Sequence, residues 1–412
     1  MRNIKELCTI CKGSKRLCGR PQCPILLRIK SMQNISSQIS SKTELFGSSP
    51  PGVLVGEWNY PKVNIGGLIP PELGEKAAFY DNPQDWIKEG VSLTEIIRLR
   101  TSLIYSRFNT DIRAPRFRNN RFLENTQELA LSAKPTDVEV TFLKKPRFRL
   151  TFDGIITPVG AVAPVKEFKV VDNPSVSRKV DYLVEDTDVK AKVAMFELYK
   201  ANIPVYQIFR LLSVGLLGTW PQRKLVPTRW AITAVDKTIG DILLDKVRHY
   251  QELGEILLFS HEYLGNHFEI LFLPRAYSFE MIEIWMPRSV WVSGSKPSII
   301  VNWELHDGKA QKMDGGYYAI RLPVLEFMSR IKRQGTVIAI REIQPDYFAP
   351  VGNWQIRENV RKALSGKPLK FSSLEYALKF IQRRLKTASS YWLPRSFIIK
   401  NFKLQKTILE FL

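Results

Sequence analysis

The amino-acid sequence predicts an α+β protein, on the strength of three observations. Helical and strand-like patterns are mixed along the 412 residues, and the hydrophobic fraction of 44% is enough for an ordered core. All four cysteines lie between positions 8 and 23. We therefore expect a mixed α/β globular body with a four-cysteine zinc knot before it and a flexible tail after it.

The four cysteines have the spacing of a closed metal site. Four thiolates within sixteen residues can complete a tetrahedron around zinc, which leaves no open position for water. We predict a structural zinc ion on Cys8, Cys11, Cys18 and Cys23. An iron–sulfur cluster is the alternative, because spacing alone does not exclude it.

The body is divided into elements by its apolar periodicity and its turn residues. Ser92-Leu93-Thr94-Glu95 is a capping box, which predicts a helix as far as about Arg107. Short alternating runs predict strands between residues 137 and 185. The further predicted elements are helices at 188–202, from Pro204 to Gly215 or Gly218, and at 238–253; strands at 255–260, 267–273 and 279–286; and helices at 355–364 and from Ser372 or Ser373 onward.

The charge of the chain is strongly positive and unevenly distributed. Lys and Arg number 61 against 40 Asp and Glu, a net charge of +21. Residues 1–30 carry eight basic and one acidic side chain, and residues 355–412 carry thirteen basic and three acidic. This balance favours a nucleic-acid partner. With no apolar run near the ~20 residues of a membrane span, we expect a cytoplasmic, nucleoid-associated protein without a membrane partner.

Basic side chains in three segments are candidate contacts to nucleic acid. Between residues 107 and 122, arginines interleave with Phe108, Phe117 and Phe122, as in sites that bind phosphates and stack unpaired bases. A core-facing aromatic row with exposed arginines explains this pattern equally well. The predicted contacts are Lys12, Lys15, Arg16 and Arg20 beside the cysteines, Arg113, Arg116, Arg118 and Arg121 in the middle segment, and Arg383 and Arg384 in the last helix.

No sequence motif defines an active site. Arg229 and Asp236 lie in an otherwise apolar run, and His267 has the spacing to share a strand face with Glu269. Arg229, Asp236 and His267 are therefore the catalytic candidates, and structural ion pairs are the favoured explanation. The Gly-, Ser- and Pro-rich segment 47–52 is either a plain turn or a source of backbone donors to a phosphate.

The last eight residues form a candidate docking peptide. A 3₁₀ turn places Gln405, Ile408 and Phe411 on one side, with Leu412 beside the aromatic ring. Such a peptide can fill an apolar pocket on a partner. Alternatively, the segment folds back on the protein's own core, together with Phe402 and Leu404.

Several of these segments together resemble the archaeal Nre DNA repair family. They are the four-cysteine start, residues 46–52, Tyr60-Pro61-Lys62-Val63, residues 226–236 and the terminal peptide. The resemblance implies a role in DNA repair, a zinc-binding amino terminus and recruitment by the archaeal sliding clamp, PCNA, through Gln405, Ile408, Phe411 and Leu412. It transfers no catalytic residue. The domains expected are a zinc knot at 1–30, an Nre-like α+β domain at 31–300, a basic domain at 301–400 and a clamp-binding tail at 401–412.

The favoured hypothesis is a repair factor that binds DNA through basic surfaces and is recruited to the clamp. One alternative is a clamp-tethered enzyme acting on DNA, such as a nuclease, a glycosylase or a ribosyl-transfer enzyme. Another is an RNA-binding protein, because charge does not distinguish DNA from RNA.

Overall fold

The computed structural model describes residues 43–70, 72–117, 119–147, 160–289, 292, 294–309 and 313–404, with single positions between 10 and 33. These residues form two compact units. The first contains Pro24–Phe152 and Ile156–Ile239, and the second contains the chain from Gly240 onward. The predicted domain boundary near residue 300 is a different division of the chain and stays a prediction.

The first unit contains a six-stranded mixed sheet. Its strands are β1 (Glu44–Ser49), β2 (Val53–Val55), β3 (Lys62–Ile69), β4 (Ile104–Asp111), β5 (Thr136–Phe142) and β6 (Val162–Val170). They are arranged in the order β1-β5-β6-β4-β3-β2, in which β4 and β6 are parallel and the other neighbours are antiparallel. The helices are α1 (Pro83–Glu89), α2 (Leu93–Ser102), α3 (Arg121–Leu131), α4 (Arg178–Glu185), α5 (Ala191–Lys200) and α6 (Val205–Ser213), followed by the long helix α7 (Thr228–Val247), whose last turns belong to the second unit.

The second unit contains another six-stranded sheet. Its strands are β8 (Ile256–Tyr263), β9 (Asn266–Leu273), β10 (Ser278–Trp285), β11 (Ser298–Glu304), β13 (Thr336–Ile343) and β14 (Leu369–Phe371), in the order β11-β10-β13-β9-β8-β14 with β10 and β13 parallel. A separate ribbon pairs β7 (Gln251–Glu252) with β12 (Arg333–Gln334). The helices are α8 (Gly315–Ile331), α9 (Trp354–Leu364), α10 (Leu374–Arg384), α11 (Ser389–Trp392) and α12 (Phe397–Leu404).

The core of the second unit lies against the central strands of its sheet. Every residue of β9 and β13 is buried, as expected for strands that are covered on both faces. On one face, Leu378 and Ile381 of α10 and Ile398 of α12 pack on apolar side chains such as Leu271 and Ile340. The α+β class is confirmed by these two sheets and their covering helices.

Two predicted helix boundaries are wrong. The helix that begins at the Ser92 cap ends at Ser102, because Leu103 turns extended and Ile104 starts β4, which is held between β3 and β6. The helix predicted at 238–253 starts ten residues earlier, at Thr228. In its first turn, the N–H groups of Trp230 and Ala231 both donate to the Pro227 carbonyl.

Candidate nucleic-acid interface

Three large aromatic side chains are exposed where the β2–β3 turn meets the start of α7. Trp58 is 75% exposed, Trp230 46% and Tyr60 43%. The rings of Tyr60 and Trp230 lie 5.3 Å apart at an interplanar angle of 46°. We call these three residues, with the neighbouring cation Arg229, the aromatic–basic surface.

Backbone bonds fix the geometry of this surface. In the turn, the Lys62 N–H donates to the Asn59 carbonyl at 2.9 Å. Asn59 has a φ of 66°, a left-handed conformation that asparagine tolerates. At the start of α7, the Thr228 hydroxyl accepts the Val55 N–H at 2.9 Å and lies 3.1 Å from the Ser213 hydroxyl. The β2–β3 turn and the first turn of α7 are therefore held together.

Charges surround the exposed rings. The Arg229 side chain is 68% exposed, and its Nη1 is 3.5 Å from an oxygen of Glu57, which is also partly exposed. Lys62 is exposed and pairs in register with Asp111, and the exposed Arg113 follows two residues later. Three cations and two carboxylates thus border the surface, which leaves a net positive charge.

Two of the three phenylalanines in the arginine–phenylalanine segment pack on each other, which favours the core-facing alternative for them. Phe108 and Phe122 pack on each other with ring centroids 5.4 Å apart, and both are half-buried. Phe117 is 59% exposed. Arg113 and Arg121 are exposed, whereas Arg116 donates from Nε to the Arg223 carbonyl at 2.9 Å. The predicted contact Arg118 lies outside the described residues.

The serine hydroxyls of segment 47–52 make hydrogen bonds within the first unit. The Ser48 hydroxyl accepts the Gly74 N–H at 2.7 Å and donates to Asp137. The Ser49 hydroxyl donates to the Leu68 carbonyl at 2.8 Å. A Cβ at Gly47 would lie 2.6 Å from the Pro70 carbonyl oxygen, so close backbone packing explains that glycine. Gly47, Ser48 and Ser49 end β1, and residues 50–52 connect it to β2, so the segment has a structural role.

Of the catalytic candidates, Arg229 and Asp236 lie on one helix in different surroundings. Arg229 is exposed in the first turn of α7, and Asp236 is 1% exposed two turns later. A separation of seven residues is about 10 Å along a helix axis. His267 belongs to the second unit.

His267 is the centre of a polar cluster on β8 and β9. Its Nε2 is 2.7 Å from Glu269 Oε1, and its Nδ1 is 3.1 Å from Glu262 Oε2. The expectation that His267 and Glu269 share a strand face is confirmed. The buried Glu269 also accepts the Ser260 hydroxyl at 2.5 Å and Nε of Arg384 at 2.6 Å.

The two carboxylates favour the charged form of His267 by raising its pKa. Burial alone lowers the pKa of His267, but the hydrogen bonds to Glu269 and Glu262 outweigh that effect, and the pKa is raised above its ordinary value. An imidazolium that donates from both nitrogens has no lone pair for proton abstraction. This geometry favours a structural ion-pair cluster, and it gives Arg384 an internal partner while Arg383 faces solvent.

Helix α12 is firmly attached to the second unit. The buried carboxylate of Glu280 accepts the Phe397 N–H at 2.6 Å and the Ser396 hydroxyl. The Phe397 ring stacks on Trp303 with centroids 3.7 Å apart, and Arg275 lies over the Phe402 ring at 3.9 Å. Phe402 thus serves the protein's own fold. The octapeptide Gln405–Leu412 follows this helix and lies outside the described residues.

Part of the predicted zinc site also lies outside the described residues. Cys8 and Cys18 are not described, whereas Cys11 is buried and Cys23 is half-buried. In the portion of the chain that the structure describes, no three His, Cys, Asp or Glu side chains are grouped to hold a metal ion. Of the basic residues predicted beside the cysteines, Lys15 is exposed, and Lys12, Arg16 and Arg20 are outside the described part.

These features define a basic α+β protein built from two mixed sheets, with an exposed aromatic–basic surface. Among the helices that the structure describes, none has the length and apolar character needed to cross a bilayer. The model of the archaeal Nre amino-terminal region matches residues 17–292, and the model of the archaeal Nre carboxyl-terminal region matches residues 304–411. The chain belongs to the archaeal Nre family.

Curated relatives cover nearly the whole chain. It is 36% identical over 407 residues to the DNA repair protein NreB of Archaeoglobus fulgidus, covering 98% of this chain and 100% of the relative. It is 38% identical over 387 residues to the DNA repair protein NreA of the same organism, covering 93% and 94%. To the DNA repair protein NreA of Haloferax volcanii it is 35% identical over 360 residues, covering 86% of each chain. No solved structure matches the chain significantly.

Proposed function

We propose that this protein is a DNA repair factor that binds DNA and docks onto the sliding clamp through residues 405–412. The observation that carries the repair role is the end-to-end similarity to relatives that are named DNA repair proteins. A net charge of +21 supports DNA as the partner. A factor with these partners would work in the cytoplasm, at the nucleoid.

The attachment of α12 supports the docking role of the tail. Because Glu280, Trp303 and Arg275 hold α12 in the second unit, Phe397 and Phe402 pack within the protein's own fold, and α12 ends at Leu404, directly before the octapeptide. The octapeptide then supplies the apolar anchors Ile408, Phe411 and Leu412 and the amide of Gln405 for a partner. Tethering by such a peptide raises the local concentration of a repair factor without further DNA contacts.

The docking role is tested by calorimetric titration of the full chain with the sliding clamp of the same organism. Replacing a buried aromatic anchor costs about 2 kcal/mol or more, so Phe411→Ala should weaken binding at least about 30-fold. Thr407→Ala is the matched control, because position 407 is one of the free positions of the peptide and should keep its affinity. Equal clamp affinity in the wild type and Phe411→Ala would reject the docking role.

The DNA-binding role is tested by fluorescence anisotropy with labelled DNA over a range of salt concentrations. Contacts to phosphates release counterions, so log K should fall linearly with log salt concentration. Arg383→Gln removes one predicted phosphate contact and should reduce the magnitude of the slope by about one. Lys332→Gln is the control, because Lys332 is an exposed lysine outside the predicted surfaces and its replacement should leave the slope unchanged. Undetectable binding at low salt would contradict the role.

We also propose that Cys8, Cys11, Cys18 and Cys23 hold a structural zinc ion. Four thiolates suit zinc and close its coordination sphere, so the ion would order the amino-terminal segment without taking part in a reaction. Elemental analysis of the purified wild type should give one zinc per chain, and Cys18→Ser should lose it while Ser14→Ala retains it. A chain that contains iron and absorbs visible light would instead carry an iron–sulfur cluster, and zinc retained by Cys18→Ser would contradict the ligand set.

A further inference from the structure

We infer that the aromatic–basic surface of Trp58, Tyr60, Trp230 and Arg229 stacks unpaired bases, so that the protein prefers single-stranded or opened DNA to an intact duplex. The inference deepens the proposed function and rests on it. Its starting point is the exposure of the two tryptophans, 75% for Trp58 and 46% for Trp230. Large aromatic groups left in water at one place mark an interaction surface.

The rings are placed to receive flat partners. The ring centroids of Tyr60 and Trp230 are 5.3 Å apart and the ring planes are inclined by 46°, so the rings are not stacked in parallel, and each side chain keeps more than two fifths of its surface exposed. Trp58 stands two residues before Tyr60 in the same turn, with three quarters of its surface free. Every base has a π-face, so such rings bind bases with little regard to sequence.

The surrounding charge selects a polyanion. Arg229 is next to Trp230 in the chain, and its guanidinium has one acidic neighbour, Glu57, at the long distance of 3.5 Å. Lys62 and Arg113 provide two more exposed cations at the adjacent ends of β3 and β4. Aromatic rings for bases with cations for the backbone are the combination that single strands require. A proline-rich peptide would use the rings but not the cations.

Hydrogen bonds hold the segments that carry the rings, which reduces the entropy cost of binding. The bonds from Val55 to Thr228 and from Lys62 to Asn59 connect the ring-bearing turns to the sheet and to the long helix α7. The rings can therefore bind without ordering a loop. In a duplex, bases are stacked on each other and their faces are hidden, so only unpaired bases can use this surface.

The test compares a labelled oligo(dT) of about 20 nucleotides, longer than typical binding sites of about 4–16 nucleotides, with a duplex of equal length by anisotropy. Trp58→Ala combined with Trp230→Ala should weaken single-strand binding by about 30-fold or more and leave duplex binding nearly unchanged. Replacing both tryptophans by phenylalanine should preserve most of the affinity, because stacking is retained. Tyr182→Ala removes an aromatic side chain of 63% exposure from α4, outside the aromatic–basic surface, and is the matched control.

The outcomes separate this inference from the proposed function. If the wild type binds both forms of DNA and the double alanine variant binds oligo(dT) equally well, the stacking surface is rejected and DNA binding stands. If a proline-rich peptide binds the wild type but not the double variant, while DNA binding is the same in both, the surface belongs to a peptide. If the wild type binds neither form of DNA, the proposed function itself fails.

Discussion

The carboxylate of Glu280, in β10, accepts the backbone N–H of Phe397 at 2.6 Å, where α12 begins. The Ser396 hydroxyl donates to the same carboxylate, and the Ile399 N–H donates to that hydroxyl at 3.1 Å. A single buried side chain from the sheet thus satisfies donors that a helix start leaves without backbone partners. Burial raises the pKa of Glu280, in opposition to these hydrogen bonds, which lower it.

Replacing Glu280 with alanine should loosen α12. The change leaves buried N–H and O–H donors without an acceptor, which costs about 1–3 kcal/mol of unfolding free energy. We expect faster amide hydrogen exchange in residues 397–404 and a lower denaturation midpoint. Glu252→Ala, at an exposed position of β7, is the control. Unchanged exchange in α12 would show that ring packing alone holds the helix.

Arg383 and Arg384 should differ, although both are basic and adjacent. Arg384 donates to the buried Glu269, so Arg384→Ala should lower the unfolding free energy by about 1–3 kcal/mol. Arg383 is exposed, and Arg383→Ala should stay within about 0.5 kcal/mol of the wild type. Urea denaturation measures both variants. Similar stabilities for the two variants would contradict the structural role of Arg384.

The contribution of His267 to stability should depend on pH. Its pKa is raised in the folded protein, so its stabilisation is fully present below the unfolded pKa of about 6.5 and is lost as pH rises through the higher folded pKa. The difference in unfolding free energy between the wild type and His267→Ala should therefore shrink as pH rises above about 6.5. Urea denaturation of both proteins at several pH values checks this. A difference that grows with pH would contradict the raised pKa.

Arg321 should be essential to the second unit. Its Nε donates to the buried Glu304 at 2.6 Å, and its Nη1 donates to Asp241 at 2.9 Å. Arg321→Met leaves the Glu304 carboxylate buried without its cation, which should cost about 3–5 kcal/mol. Adding Glu304→Gln removes the uncompensated charge and should recover part of that loss. Thermal or urea unfolding compares the two, and a double variant less stable than the single one would contradict this explanation.

The strands of the second sheet were predictable because turn signals separate them. The runs at 255–260, 267–273 and 279–286 match β8, β9 and β10 within a few residues. Leu264 and Gly265 have positive φ between β8 and β9, where a tight turn is needed. The Ser92 cap, with its hydroxyl accepting the Glu95 N–H at 3.2 Å, and the start of α6 after Pro204 are confirmed for the same local reason. Capping and turn chemistry is encoded within a few residues.

Other elements depend on partners far along the chain. Helix α8 was missed because Gly315 and Gly316 begin it and Pro323 lies inside it, all weak helix formers that tertiary packing overrides. The apolar residues after Ser102 continue the helical pattern of α2. They form β4 because β3 and β6 offer edges to pair with, and periodicity alone cannot distinguish these outcomes.

The candidate surface was only partly predictable. Arg229 stood out in the sequence as a charge among apolar residues. The pairing of Tyr60 with Trp230 joins residues 170 positions apart and arises from the fold. Nothing local indicates that Trp58 is exposed while Trp86 and Trp392 are fully buried. Exposure is a property of the assembled structure, so the sequence alone could not identify these aromatic residues as a surface.

The position of Leu404 at the end of α12 limits the distance that the octapeptide can span in any complex that it forms. Eight extended residues reach about 29 Å at most, less than the width of a typical domain. A sliding clamp bound at Phe411 would therefore lie within about 29 Å of the end of α12. The tether would therefore set the largest separation of the two proteins and leave their relative orientation free.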